Sequence, residues 1–454
     1  MASGTAQPSQ YFARYAEPES LLASALEARY FAALVVPLCR ESLSFLDGYR
    51  AALGQSPGRV LLVLVVNGAA FASDETHAQN QRLLAELALQ FADRVAIRVP
   101  GVSTPAWLAH AEHCDLLWLD RASPGALLAQ GEGVGLARKL GADLAAQLWA
   151  RGQISCSQIA CGDADATLPA DYFERLAWGA AEPERSTALL WPFSHEPGDD
   201  RAIDSATVLY EISLRYYVLG LAAARSPYAY QSIGSSLSFD AAAYASVRGF
   251  PKRAAAEDFY LLDKLAKVGP LRHASGAPLR LRARASDRVP FGTGRRTREI
   301  AELGASGVEL ELYAPELFAA LAAVLEGLNA FAELGQPLAL ERSVQLQTPE
   351  LAAPVLAVLQ RLKVFDALVS AAKQAPAGAV LKRRVHTWFD GLRTLRFIHL
   401  LRDSRLPSVP WRAALERAPF VSEPFGSGAS PEAACARLAL TEAALPVLVG
   451  PTLP

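Results

Sequence analysis

The chain has 454 residues, 51% hydrophobic and 20% charged, with 31 Gly and 29 Pro, which excludes disordered, collagen-like and low-complexity architectures and leaves room for two or three domains. Its 44 basic and 46 acidic side chains nearly cancel, to −2, so no overall field steers the molecule onto nucleic acid or an anionic membrane. Cys39, Cys114, Cys156, Cys161 and Cys435 are an odd set without a CxxC pair, which excludes a disulfide framework and a structural zinc site.

In chain order, a polar lead over 1–28 ends in a short helical pattern from Glu19 to Ala28. Apolar strands are then predicted at 31–38, 59–66 and 94–99, separated by helix-length mixtures; such continuous apolar runs are buried on both faces, the mark of an α/β sheet. Helices over 76–92 and 135–149 supply the crossovers, and residues 101–130 look like an insertion between them. A further strand at 154–161 leads to Asp163, Ala164 and Asp165 and then to a helix begun by Pro169. A long helix over 204–224, a strand-like piece at 230–239 and a helix over 255–268 follow. The Arg-rich stretch 279–298 marks a change of character, after which the pattern is almost wholly helical. The first 12 residues show no basic region before an apolar core, and runs such as 60–66 fall far short of the roughly 20 residues of a membrane span, so the expectation is a cytoplasmic chain without a transmembrane segment.

The densest chemistry lies at Asp163 and Asp165. In an extended segment, residues i and i+2 point the same way, so both carboxylates face one site at the carboxyl end of a buried strand, where hard oxygen ligands suit Mg2+ or Mn2+; the alternative is a pair of loop acids capping the next helix. Glu257 and Asp258 open a helix, where acids also serve the helix dipole. Gly131, Gly133 and Gly135 allow close backbone approach, and Arg138 and Lys139 follow them on a helix able to face a diphosphate. Arg280, Arg282 and Arg284 alternate along a strand, and Gly292 and Gly294, which supply hinge freedom, follow Arg288 in a solvated cationic stretch.

Residues Val36-Pro37-Leu38-Cys39-Arg40-Glu41, the strand ending Val65-Val66-Asn67-Gly68, the glycine run 131–145, the Asp163-Ala164-Asp165 triplet and, roughly 90 residues later, Arg248-Gly249-Phe250-Pro251 followed by Glu257-Asp258 resemble in order and spacing the motifs of family 2 glycosyltransferases. The resemblance covers about 31–296. It implies a GT-A type fold, a mostly parallel sheet flanked by helices, and a reaction moving a sugar from a nucleoside-diphosphate sugar to a hydroxyl acceptor. By matching positions it implies Asp163 and Asp165 as ligands of Mn2+ or Mg2+; the late His of some relatives has no direct match, and the nearby His273 is the candidate for it, the alternative being a plain loop histidine. Pro37, Glu41, Asn67, Arg138, Lys139, Asp163 and Arg288 are implied around the donor, with Asp258 as catalytic base and Glu257 as its alternate. Cys39-Arg40 departs from the aromatic-Asn pair usual before the Glu, and Asn67 stands where an Asp is usual.

The expected division is 1–28 lead, 29–299 catalytic domain and 300–454 helical domain, whose Leu and Ala runs suit a bundle core or a homo-oligomer contact. Between Lys382 and Arg412 basic residues interleave with Trp388, Phe389, Phe397 and Trp411, a spacing that fits a packed surface helix or a grip on an acidic partner. Three other functions compete with inverting transfer: a retaining enzyme that glycosylates glycerate or phosphoglycerate, a sugar nucleotidyltransferase, and a non-catalytic binding module. The nucleotidyltransferase calls for a glycine-rich loop directly after the first strand, where this chain has Pro37-Leu38-Cys39-Arg40-Glu41-Ser42.

Overall fold

The computed structural model describes residues 8–181, 186–286, 292–421 and 428–451. They form two compact units, Met1–Asp199 with Ser232–Arg296, and Asp200–Gln231 with Thr297–Pro454. Residues 200–231 thus group with the helical unit, although they stand within the 29–299 stretch.

The first unit is a mixed α/β layer. Its strands in chain order are β1 (Ala32–Leu38), β2 (Val60–Asn67), β3 (Val95–Ile97), β4 (Ala106–His110), β5 (Cys114–Arg121), β6 (Gln158–Cys161), β7 (Ala166–Thr167), β8 (Ala188–Leu190), β9 (Phe193–Glu196), β10 (Leu237–Asp240), β11 (Leu271–His273) and β12 (Leu279–Arg282). The central sheet runs β11-β8-β10-β6-β1-β2-β5-β4-β3. β1, β2, β5 and β6 are parallel, whereas β10 is antiparallel to both its neighbours. β2 is buried at every position, as expected of a strand covered on both faces.

The stretch 101–130 is not an insertion. It contributes β4 and β5, and β5 pairs with β2 from Val60↔Cys114 to Asn67↔Arg121. Asp115 and Asp120 disguise β5 as loop. Asp115 is in fact held inside by Tyr30, Arg59 and His110, and Asp120 accepts the backbone N–H groups of Ala122 and Ser123. A buried carboxylate costs little once paired in this way.

The chain leaves β1 for β2 and β5 on one side and returns to β6 on the other, so a topological switch point falls between β1 and β6, where open α/β sheets hold their ligands. β6 meets β1 only at Leu34↔Ala160 and Val35↔Cys161. Pro37, which has no N–H to donate, therefore lies past the end of β6 and costs the sheet nothing. A smaller sheet, β7-β12-β9, stands beside this opening.

A buried ionic knot ties the N-terminal segment to the helix Val134–Ala150. Asp143 on that helix accepts from Lys139 Nζ (2.9 Å), from the hydroxyls of Tyr11 and Tyr244, and from the backbone N–H of Glu17 (2.7 Å). Lys139 also donates to the Tyr11 hydroxyl at 2.9 Å.

The second unit is built almost entirely from helices. Its core gathers Ile212, Tyr216 and Leu219 of the helix Arg201–Ala223 with Leu317, Phe318, Leu321 and Phe331 of Pro315–Leu334. Among the described residues Pro315–Leu334 alone is long and apolar enough to cross a membrane, and most of it is buried in this core. The basic stretch after Lys382 forms the helices Ala379–Trp388 and Gly391–Ser404, whose Leu381, Val385, Phe397, Ile398 and Leu401 join the same core and leave Lys382, Arg383 and Arg384 exposed.

Asp143→Ala leaves the Lys139 ammonium buried without its counter-charge. It is expected to cost about 3–5 kcal/mol, read as a lower denaturation midpoint at unchanged denaturant slope, whereas truncating exposed Glu112 is expected to cost under about 0.5 kcal/mol.

Candidate active site

β6 ends at Cys161, and the chain reverses at once. Ala166 N–H donates to Asp163 O at 3.0 Å, so Asp163 and Asp165 lie on a tight turn into β7 rather than on an extended segment. The turn is pinned from below. Gly162 N–H donates to Val35 O at 3.0 Å, and the buried Tyr49 hydroxyl donates to Asp163 O at 2.7 Å. A Cβ at Gly162 would stand 2.7 Å from that hydroxyl, so only glycine admits it. Pro169 precedes the next helix without starting it; the helix runs Tyr172–Ala181.

Arg138 joins the two acidic motifs. Its guanidinium donates to Asp163 Oδ1 at 2.6 Å, to Glu257 Oε1 at 2.8 Å and to Gly162 O at 3.3 Å, and its side chain is 3% exposed. Burial alone lowers an arginine's affinity for its proton, but Asp163 and Glu257 outweigh it and hold the charge. Arg138 therefore spends its donors on carboxylates and is not turned toward a diphosphate.

The glycine run has a similar inward role. Gly135 N–H donates to Arg253 O at 3.1 Å, and a Cβ there would fall 2.6 Å from that oxygen and 2.7 Å from Pro251 O. Gly133 lies close to Ala254, where a Cβ would stand 3.0 Å from its Cα. These glycines let the 251–254 loop lie on the start of the helix Val134–Ala150, which delivers Glu257 and Asp258 at the head of the helix Glu257–Ala266.

The second arginine bridge comes from the small sheet. β12 pairs with β7 through Leu281↔Ala166, and Arg282 N–H donates to Asp165 O at 2.9 Å. Two residues on, Arg284 pairs with Asp165 Oδ2 at 2.7 Å and Glu41 Oε1 at 2.9 Å, and donates to Glu41 Oε2 at 3.1 Å. Arg280 and Arg282 instead pair with Glu196 and Asp199 at the surface. Glu41 arrives beyond β1 because Arg40 takes a left-handed conformation, φ 58°, with its N–H bound by Asn80 Oδ1 at 2.8 Å. Asparagine, usual at this position in the family resembled, enters that conformation with less strain than arginine.

Among the described residues, acid outweighs base here. Burial, with Asp165 and Glu257 nearby, raises the Asp163 carboxyl to about 6 against the pull of Arg138. Burial, reinforced by Glu257, raises Asp258 to about 7. The site thus brings Asp163, Asp165, Glu257, Asp258 and Glu41 together around Arg138 and Arg284.

Several expected participants stand elsewhere. Lys139 belongs to the Asp143 knot. Asn67 is buried at the end of β2, its amide nitrogen facing Leu38 O and Val65 O at 3.2 Å, so it serves the strand ends rather than a base. His273 ends β11, three strands from β6, about 14 Å at the usual spacing, and burial lowers it to about 4; it does not join Asp163 and Asp165. Arg288 lies outside the described residues. Among the described residues no group of three or more His, Cys, Asp or Glu is arranged to hold a metal by itself. Arg284 and Tyr49 were missed as site residues; the alternation of Arg280, Arg282 and Arg284 signalled the first, and nothing in the sequence signalled the second.

A carboxyl raised on folding stabilises the folded chain only while protonated, below about 4, and that stability is lost as pH rises through the folded value. Asp163 and Asp258 therefore burden the metal-free protein across pH 5–8. His273 and His386, each lowered to about 4, pull the other way, so the readout is a difference. Asp258→Asn is expected to melt above wild type by a margin that grows between pH 5 and pH 8 by a few degrees, on the order of 2 kcal/mol. An equal difference at both pH values would contradict the raised carboxyl.

No family model matches the chain, and no curated protein matches it. Among solved structures it is similar to the mannosyltransferase PcManGT from Pyrobaculum calidifontis in complex with GDP-Man and Mn2+, at 16% identity over 86% of this chain and 94% of that one, with a TM-score of 0.32. A likeness of that degree assigns neither activity nor ligand to this chain.

Proposed function

We propose that the first unit is the catalytic part of a glycosyltransferase that moves a sugar from a nucleoside-diphosphate sugar to a hydroxyl acceptor, with inversion at the anomeric carbon. The observation that carries this reading is Arg138, which draws Asp163, at the carboxyl end of a central parallel strand, and Glu257, from a distant helix start, into one acidic site at the switch point. The order of motifs in the sequence supports the same reading.

The residues fit a divalent cation. Asp163 Oδ1 and Asp165 Oδ2 are taken by arginines, and the second oxygen of each carboxylate has no hydrogen-bond partner among the described residues. Burial first, and neighbouring carboxylates after it, raise Asp163 and Asp258, and a cation at Asp163 would favour their ionised forms. Asp163 and Asp165 would hold Mn2+ or Mg2+, which supplies neutralisation of the leaving diphosphate. Arg138 keeps Asp163 and Glu257 at fixed separation throughout. Asp258, partly exposed beside Glu257, takes the acceptor's proton as the acceptor oxygen bonds to the anomeric carbon and the bond to the diphosphate breaks. Glu257 is bound to Arg138, so the base role falls to Asp258.

The test is to incubate the protein with UDP-, GDP- and ADP-sugars and Mn2+ or Mg2+, and to measure nucleoside diphosphate release. Metal-dependent release, lost in Asp165→Ala, is expected. Asp258→Asn is expected to lower kcat by about 10²- to 10⁴-fold with little change in donor affinity. In wild type kcat/KM is expected to fall about tenfold per pH unit below about 7, because the base must be unprotonated. Pyrophosphate in place of nucleoside diphosphate would instead indicate nucleotidyl transfer, and no nucleotide binding at millimolar concentration would exclude both.

A further inference from the structure

The two arginines of the site are not equivalent. Arg138 is 3% exposed, bound by three acceptors, and wedged so tightly that a Cβ at Gly234 would come 2.5 Å from its Nη2. Arg284 is 31% exposed and rests only on carboxylates, Asp165 at 2.7 Å and Glu41 at 2.9 Å. It stands two residues beyond the last residue of β12.

Accordingly, we infer that Arg284 is a resident counter-cation for Asp165 and Glu41 that a divalent cation must displace, and that the displaced guanidinium then serves the donor diphosphate. This rests on the glycosyl-transfer reading above. The physical basis is competition: one carboxylate oxygen of Asp165 is occupied by a charge-assisted bond, and its remaining oxygen feels the positive charge of the same guanidinium. Without donor the arrangement keeps the acids assembled and disfavours metal. With donor, a diphosphate offers the freed planar guanidinium a bidentate acceptor at least as good as the carboxylates it leaves. Metal and donor therefore bind with positive coupling, each repaying what the other displaces, and Arg284 is a positioning residue in the free site. Arg138 lacks the freedom to act in this way, because moving it strands Asp163, Glu257 and Gly162 O together.

The experiment measures Mn2+ binding to the full chain by electron paramagnetic resonance, with and without nucleoside diphosphate. Arg284→Met is expected to bind Mn2+ about tenfold tighter than wild type in the absence of nucleotide, and to bind UDP, GDP or ADP about tenfold more weakly at saturating Mn2+. Arg284→Gln, closer in shape and neutral, is expected to shift both constants the same way and covers the case in which the Met variant does not fold. Mn2+ affinity equal to or below wild type in either folded variant, with nucleotide still bound, overturns the role of Arg284 alone. Wild-type protein that binds neither Mn2+ nor any of the three nucleotides overturns the glycosyl-transfer reading and this inference with it.

Discussion

One guanidinium sets the geometry of this site. Arg138 is the sole described cation within bonding reach of both Asp163 and Glu257, which are 94 positions apart in the chain, and its burial forbids any other arrangement of those charges. An arginine in such surroundings survives only with most of its donors matched. Its requirements then propagate outward. Gly162 presents its carbonyl, Gly234 leaves space, and Gly133 and Gly135 admit the loop that brings Glu257 within 2.8 Å. Each of those glycines sits where a methyl group collides with backbone, a tyrosine hydroxyl or the guanidinium itself. The same helix turns its next residue, Lys139, to the opposite side, into Asp143 and the N-terminal segment. Consecutive positions thus anchor the site on one face and the chain's beginning on the other.

The parts of this plan carried by local pattern were legible in the sequence. The buried strands at 31–38 and 59–66, the helices over 76–92 and 135–149, and the acidic pairs at the ends of their elements all follow from periodicity and from the residue types that chemistry requires. What escaped depended on long-range charge matching. β5 lies in the stretch read as an insertion, and its Asp115 is satisfied by Arg59, His110 and Tyr30, partners that only the fold supplies. Glycines followed by Arg and Lys suggest a phosphate cradle, yet the same pattern also builds a tight loop contact with inward-facing cations; local sequence does not separate the two. His273 failed for a plainer reason. Strand order decides which residues at one end of a sheet are neighbours, and sequence distance says little about it.

The site's electrostatics show why such a plan is retained despite its cost. A chain with formal charge −2 gathers Asp163, Asp165, Glu257, Asp258 and Glu41 around two arginines, and pushes Asp163 and Asp258 to about 6 and 7. That imbalance is destabilising by itself, and stability alone would favour a more neutral set of residues. It is the form expected of a site poised to receive a charged group, since the strain is relieved only by what enters. Arg138 alone leaves Asp165 without a counter-cation among the described residues; a second fixed arginine would satisfy Asp165 permanently and leave no place for a divalent cation. A third-exposed Arg284, two residues beyond a short strand, meets both needs. It holds the acids together when the site is free, and it surrenders them at a cost that an incoming diphosphate, itself in need of a bidentate cation, can repay.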